Sequence, residues 1–435
     1  MDTLPSGTHT VVLAIGDLNG IARGKRMQAG MWESASHGVA MANAIFQMDM
    51  TSDVWDTPYG NFDNGYPDIH IVPIPGKLRT IPWEPGVVLA VCDSETVDGA
   101  EVPVDPRGVL HTAIDRAAAK GWRAMFGVEL EFYLLDPETR RPKDRGISVY
   151  GLARGSRFEH VLGPIRNLCT DMGILVEVSN PEYAPGQFEV NIRYDEAMTS
   201  ADNAMLFRNS VKEIAWDHGY LATFMAKPFF EESGSSFHVH QSLWDGDSNV
   251  FSDKGKLSEL GRAYLGGLRQ HMGDLALISA PTPNAMKRRQ PYTFCPINNT
   301  WGLDNRTVGL RVIEGAEAAV RIEQRDGSAD ANPYLLIGAQ LAAGLDGIER
   351  GLDPGEMTEG NGYEAADADL LPNDTPTAVD RFKSSTLISE LIPAALRATM
   401  IQQAEREQGF MMDAGEGDPA ETVTQLERDR YLENF

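Results

Sequence analysis

Residues 125–135, Met125-Phe126-Gly127-Val128-Glu129-Leu130-Glu131-Phe132-Tyr133-Leu134-Leu135, are a run of strand-forming residues with two acids set two positions apart. Alternation along a strand puts Glu129 and Glu131 on one face. Most of the other side chains are large and apolar, so both faces of this strand should be buried, and buried carboxylates need cations. A surface-facing pair of glutamates is the plain alternative. A second strand, Arg321-Ile322-Glu323-Gln324-Arg325, poses the same problem in reverse. Arg321, Glu323 and Arg325 share a face there, and two guanidiniums beside one carboxylate keep it ionised and leave positive charge for an anion. Taken alone, that pentapeptide reads as a structural salt-bridge ladder.

Other stretches change the weighting. In Asn180-Pro181-Glu182-Tyr183-Ala184-Pro185-Gly186-Gln187-Phe188-Glu189, the Pro-Gly turn reverses the chain and leaves Glu182 and Glu189 on either side of it. Phe237-His238-Val239-His240 puts two imidazoles on one strand face. That spacing is weak evidence for a metal taken singly, but informative beside several strand-borne glutamates. Glu129, Glu131, Glu182, Glu189, Glu323 and His238 make a hard, oxygen-dominated ligand set that suits Mg²⁺ or Mn²⁺ better than zinc or copper. Six protein ligands exceed what one Mg²⁺ usually takes, so two metals are expected. Paired divalent ions near arginines are the parts of phosphoryl chemistry. Neither a GxxxxGK[ST] loop nor a GxGxxG turn after a strand is present, so ATP would need another cradle.

The 435-residue chain is long for one ordinary domain, and 42% hydrophobic content suffices for a proper core. Its net charge of −25 makes nucleic acid or an anionic membrane an improbable partner. Against that acidity, residues 287–325 carry seven basic side chains and four acidic ones, a local excess that suggests an anionic ligand. Cys92, Cys169 and Cys295 are widely spaced and form no CxxC pair, which fits a reducing cytoplasm. The N-terminus has no signal-peptide pattern, and the apolar stretch over residues 334–345 is too short to span a bilayer.

In chain order, residues 8–16, 69–74 and 87–92 read as strands, 51–68 as a loop, and the first hundred residues as a small mixed sheet ending near Pro103. Helical spacing follows over residues 107–120, 160–172, 201–219, 256–277, 334–345 and 379–408. Strands are expected at 174–178, 310–314 and 320–324, and long loops at 284–305 and 351–376.

At this point the chain resembles the glutamine synthetase superfamily over almost its entire length, closest to the branch that makes γ-glutamyl-polyamines and γ-glutamyl-alkylamines. The matching motifs are Glu129-Leu130-Glu131-Phe132, Pro185-Gly186-Gln187 with Glu189, Lys227-Pro228 with Gly234, His238-Val239-His240-Gln241-Ser242, Lys287-Arg288, Asn305-Arg306 with Arg311, and Arg321–Arg325 with Asn332-Pro333-Tyr334. The resemblance implies an α+β fold: a β-grasp domain over residues 1–103, then a catalytic domain over 104–435 with a curved antiparallel sheet flanked by helices. It also implies a ring homo-oligomer, commonly a dodecamer. By motif, Glu131, Glu182 and Glu189 would hold one metal, and Glu129, His238 and Glu323 the other. Glutamate would sit against Gly234, Arg288 and Arg325. ATP would contact Glu177, His240, Ser242, Arg311 and Arg321, with Arg306 on the transferring phosphoryl group. The implied activity is ATP-dependent formation of γ-glutamyl phosphate followed by its capture by an amine.

Departures from the family pattern bear on the acceptor. Where ammonia-using members carry a glutamate in the flap after Lys-Arg, this chain has Phe294. A phenyl ring cannot accept a proton, but it can pack against an alkyl or aryl group or face a cation. An organic amine is therefore the expected nucleophile, and an ordinary glutamine synthetase with a shifted loop is the alternative. The aspartate of the amine site would be Asp49 or Asp53. Ser233 and Ser236 stand where the family usually has Asn and Gly. An inactive structural ring is the reading from another class, and the presence of all six ligands argues against it. A guanidino-kinase-like phosphotransferase would lack an amine pocket.

Overall fold

The computed structural model describes residues 2–366, 368–413 and 422–435. An N-terminal mixed sheet is built from β1 (Thr10–Gly16), β2 (Ala22–Gln28), β3 (Val39–Ala42), β4 (Asp68–Thr80) and β5 (Val87–Thr96). Its order is β2-β1-β5-β4-β3, with β1 and β5 parallel at the centre, which is a β-grasp arrangement. β1 after Thr10 and the first six residues of β5 are apolar or glycine and mostly buried, as central strands must be.

Helix α1 (Pro106–Ala118) follows, started by Asp105, whose side chain accepts from the Arg107 amide. The larger sheet then assembles from β6 (Arg123–Leu135), β7 (Val176–Pro181), β8 (Gln187–Glu196), β9 (Leu221–Thr223), β10 (Phe237–Asp245) and the two-residue strand β11 (Ser248–Asn249). Strands β12 (Ser252–Asp253) and β13 (Lys256–Leu257) pair only with each other, and β14 (Trp301–Leu303), β15 (Leu310–Ile313) and β16 (Arg321–Gln324) complete the large sheet. Its main path is β14-β15-β16-β10-β6-β8-β7, antiparallel except between β14 and β15. Register shifts between Phe126 and Val128 and between Val176 and Val178 are bulges that curve the sheet.

Helices α2 (Leu152–Asp171) and α3 (Ala197–Asp217) are joined by α4 (Glu259–His271), α5 (Ala276–Ser279), α6 (Pro283–Met286) and α7 (Pro333–Arg350). The expected helix over residues 256–277 is divided: it begins after Ser258, whose hydroxyl caps the Gly261 amide, and ends at His271 before α5. The expected tail helix over 379–408 is likewise split into α8 (Thr375–Ser384), α9 (Thr386–Leu391) and α10 (Ala394–Asp413), and α11 (Gln425–Tyr431) closes the chain. No helix among the described residues is long and apolar enough to cross a membrane.

The buried helix α7 positions the strand that carries the histidines. Gln340 accepts from Gln241 of β10 at 3.1 Å, and Tyr264 of α4 donates to the same glutamine at 2.7 Å. At the other end, Asn332 caps α7 and donates to the carbonyls of Asp17 and Leu18 at 3.0 Å each, joining the helix to the β1–β2 turn. Glycines allow α4 and α7 to touch backbone to backbone: a Cβ at Gly267 would lie 2.1 Å from the Ala343 carbonyl oxygen. Gly267→Ala is therefore expected to destabilise the protein by about 2 kcal/mol in urea unfolding. Gly108→Ala, in a helix with open space around it, should be neutral or stabilising by up to about 1 kcal/mol in the same assay.

Candidate active site

Strand register brings the expected ligands together. On β10, His238 stands opposite Glu129 of β6, while His240 stands opposite Glu323 of β16. On the next pairing, Glu131 of β6 faces Glu189 of β8, and Glu189 faces Asn180 of β7. The turn between β7 and β8 closes through Gln187 N donating to Ala184 O at 3.1 Å. It needs Gly186, whose φ is +73° and where a Cβ would meet the Leu134 carbonyl at 2.9 Å. Four strands and one turn thus aim six side chains at one space.

That space is a cavity of about 570 Å³ lined by all six ligands, by Gly234, Arg288, Arg306, Arg311 and Arg325, and by Phe294. A second cavity of about 420 Å³ is lined by Glu177, His240, Ser242 and Arg321 with Tyr194 and Trp244. Glu129 and Asn191 line both. Every expected metal, glutamate and ATP residue therefore faces one of two adjoining cavities.

Charge is distributed unevenly in the cage. Glu323 is fully buried and accepts from Arg325 Nη1 at 2.5 Å and from Arg311 Nη1 at 3.0 Å. The second guanidinium on Glu323 is thus Arg311 from the neighbouring strand; Arg321 instead donates its Nε to His240 Nδ1 at 3.1 Å. With Nδ1 accepting, the His240 proton sits on Nε2, which donates to Glu129 Oε1 at 2.9 Å. His238 Nδ1 lies 3.2 Å from the other oxygen of Glu129 and 3.6 Å from Glu323. Burial pushes the pKa of Glu129 up, but the two histidines outweigh it and hold the carboxyl far below its usual range. Burial likewise opposes ionisation of Glu323, and Arg325 with the two histidines overcomes it.

Glu182 and Glu189 have no such help. Burial first, and Glu131 next, raise Glu182 to about 8; burial with Glu129 and Glu131 raises Glu189 to about 9. Glu182 has an amide partner, Asn180 Nδ2 at 2.9 Å, and Glu131 accepts from the Ser236 amide at 2.8 Å. Carboxylate oxygens and one imidazole, crowded enough to resist ionisation on one side, fit a hard divalent cation. Close clusters also form as Glu129–Glu189–His238 and Glu129–His240–Glu323.

Gly234 is required where it stands, because a Cβ would lie 2.5 Å from Arg288 Cγ and 2.9 Å from the Ala226 carbonyl. Phe294 enters the cavity wall with φ +59° and Tyr292, two residues earlier, has φ +65°; bulky side chains rarely adopt this backbone. Phe294 stacks on Tyr183 with ring centroids 5.7 Å apart and planes at 27°. The flanking tyrosine was not singled out from sequence, although it directly follows a cage glutamate.

Asp49 is the exception. It lines neither cavity; its carboxylate accepts from the Thr51 and Asp53 amides at 2.8 and 3.0 Å and pairs with Arg430 at 2.7 Å. Capping a turn and meeting a C-terminal arginine bury it away from the cage of its own chain. Asp53 is exposed and reaches Arg406 at 3.4 Å.

The cage sets a pH dependence of stability. Glu182 and Glu189 keep their protons in the folded protein where the unfolded chain, near 4.5, has released them. In chelator, their contribution to stability should therefore fall as pH rises from about 5 to about 8 or 9. Thermal melts at pH 6 and 8 should show this decline lessened in Glu189→Gln. A divalent cation should oppose it in the wild type, because it binds the deprotonated carboxylates.

Residues 103–425 match the family model for the glutamine synthetase catalytic domain. The chain is 36% identical to a glutamate–isopropylamine ligase of a Pseudomonas species over 82% of each chain. It is also 36% identical to a gamma-glutamylethanolamide synthetase of Streptomyces coelicolor, over 87% of this chain and 84% of that one. A solved GmaS structure in complex with ADP superposes with a TM-score of 0.85 at 30% identity, covering 97% of this chain and 96% of the other. A two-cavity cage on a curved sheet and a family match over most of the length agree: the chain belongs to the glutamine synthetase family.

Proposed function

We propose that this protein is an ATP-dependent ligase that joins the γ-carboxylate of glutamate to an organic amine through γ-glutamyl phosphate. The observation that carries the reading is the pair of cavities meeting at Glu129, one bearing arginines and lined by the Phe294–Tyr183 stack, the other lined by Glu177, His240, Ser242 and Arg321. Relatives named for an isopropylamine substrate and an ethanolamide product support an organic acceptor.

In this reading Glu131, Glu182 and Glu189 hold one Mg²⁺ or Mn²⁺, and Glu129, His238 and Glu323 hold another. When bound, such ions neutralise and polarise phosphoryl oxygens. Gly234, Arg288 and Arg325 bind glutamate by its carboxylate. Glu177, His240, Ser242, Arg311 and Arg321 bind ATP. Like charge opposes attack of the γ-carboxylate oxygen on the terminal phosphorus, and Arg306 and Arg311 offset that repulsion as the bond to ADP breaks. The amine nitrogen then attacks the acyl carbon, phosphate leaves with the electron pair of the broken C–O bond, and that departing phosphate takes up the proton the nitrogen loses. Phe294 and Tyr183 shield that step from water and give the amine an apolar wall in place of a proton acceptor.

The fold supports residues 1–103 as one domain and 104–435 as the catalytic one. Phe62, 84% exposed beside Tyr66 in the loop after Asp49, is the kind of surface that a ring of subunits, twelve in this reading, would cover. Such a ring would let the Asp49 turn serve a neighbouring subunit. Cys92, Cys169 and Cys295 are free and buried, as suits the cytoplasm.

Phosphate release from ATP with glutamate and Mg²⁺ tests the reading across ammonium, methylamine, ethanolamine, putrescine and aromatic amines. An organic amine should be the best acceptor, and Phe294→Ala should raise its KM about tenfold while sparing that for ATP. Ammonium as the best acceptor would overturn the acceptor class; no glutamate-dependent release with any amine would overturn the ligase.

A further inference from the structure

Glu427 lies in α11, all but the first residue of which falls beyond the stretch matched by the family model. The residue is fully buried, and both its oxygens are engaged twice. Oε2 closes a capping box, accepting from Thr424 N at 2.7 Å and Thr424 Oγ1 at 3.0 Å. A glutamine would serve that cap equally well. Oε1 points away from the helix and accepts from Lys287 Nζ at 2.7 Å and Asn284 Nδ2 at 2.9 Å. The cap does not need these two contacts.

They reach both walls of the arginine-lined cavity. Lys287 immediately precedes Arg288. Asn284 is locked to Lys227 in both directions, accepting from its amide at 2.8 Å and donating to its carbonyl at 2.9 Å. Lys227 in turn donates its Nζ to Glu232 O at 2.6 Å, at the start of the loop that carries Gly234. The two segments meet where Arg288 packs on Gly234 without room for a Cβ. On its other side α11 is pinned by Arg430, which bonds Glu407 and Asp49, and by Tyr431, which donates to Glu407 at 2.6 Å. The helix is thus fixed to the Asp49 turn and to α10, and the charge it projects fixes the two segments.

We propose that Glu427 is a positioning residue for the amino-acid substrate. Through Lys287 and Asn284 it sets the distance between the Arg288 guanidinium and the Gly234 backbone, and so the fit of the substrate's carboxylate. The inference rests on reading that cavity as the glutamate site of a ligase.

Glu427→Gln preserves the cap but leaves Lys287 without a counter-charge, so it should also lower the melting temperature. The double variant Glu427→Gln/Lys287→Met removes the stranded lysine charge and should recover that stability. Both should show KM for glutamate raised about tenfold, with KM for ATP unchanged, because a small misplacement of a binding arm weakens only its own ligand. The proposal is overturned if the double variant regains wild-type KM together with its stability, if KM for ATP rises in parallel, or if neither variant moves KM for glutamate. The rise in melting temperature on adding glutamate reads the same arm without turnover, and it should shrink in both variants. A wild type that binds glutamate but forms no amide would overturn the ligase reading alone, and the binding measurement would still decide the role of Glu427.

Discussion

Everything at the cage depends on keeping Glu323 ionised although its side chain is fully buried. An isolated buried carboxylate would take up a proton, since its hydration is lost and nothing replaces it. Arg325, two residues along, and Arg311, across the β15–β16 pairing, replace that hydration with one charged donor on each carboxylate oxygen. The arrangement costs conformational freedom, and the sheet bears that cost: each arginine is fixed by a strand whose register is already set by its apolar neighbours Leu310, Val312 and Ile322. The same backbone register that buries the core therefore fixes the charge.

The β10 strand extends this logic inward. Phe237, Val239 and Leu243 face the core, which turns His238 and His240 to the cavity side, where they share the two oxygens of Glu129. Gln241 is the one polar residue on the core side, and it is satisfied by Tyr264 and Gln340 from two packed helices. A buried glutamine so bonded resists slippage of the strand, because a shift by one residue would strand its amide and bury an imidazole.

Alternation and turn chemistry made most of the cage legible in the sequence: Glu129 with Glu131, His238 with His240, and the Pro185-Gly186 turn between Glu182 and Glu189 all lie where period two places them. Pairing across strands was less accessible. Arg321 and Arg325 share a face with Glu323 by sequence, yet Arg311 takes the place assigned to Arg321, because register between two short strands is decided by the packing of three apolar residues and not by the charges. Local spacing also overstated the helices at 256–277 and 379–408, where Ser258 and Ser385 cap new starts. Asp49 shows the limit most clearly. Its partner Arg430 is almost four hundred positions away, and no local pattern announces that contact.

The cage has two electrostatic halves. Around Glu129 and Glu323 the chain supplies its own donors: two arginines and two histidines, all within reach of the carboxylates. Around Glu182 and Glu189 the direct partners are amides and the nearest charges are other carboxylates. Neutralising both halves internally would leave no driving force for an external cation, and neutralising neither would leave five carboxylates competing for protons. With one half settled by the fold, the other keeps a demand for positive charge that only protons meet at neutral pH when no metal is bound. A divalent ion meets it better, bringing two charges and a directional shell to oxygens already converged by β6, β7 and β8. The curved sheet thus does more than gather ligands. By pairing some of them with arginine and denying it to the rest, it gives the two sides of the cavity different demands for positive charge.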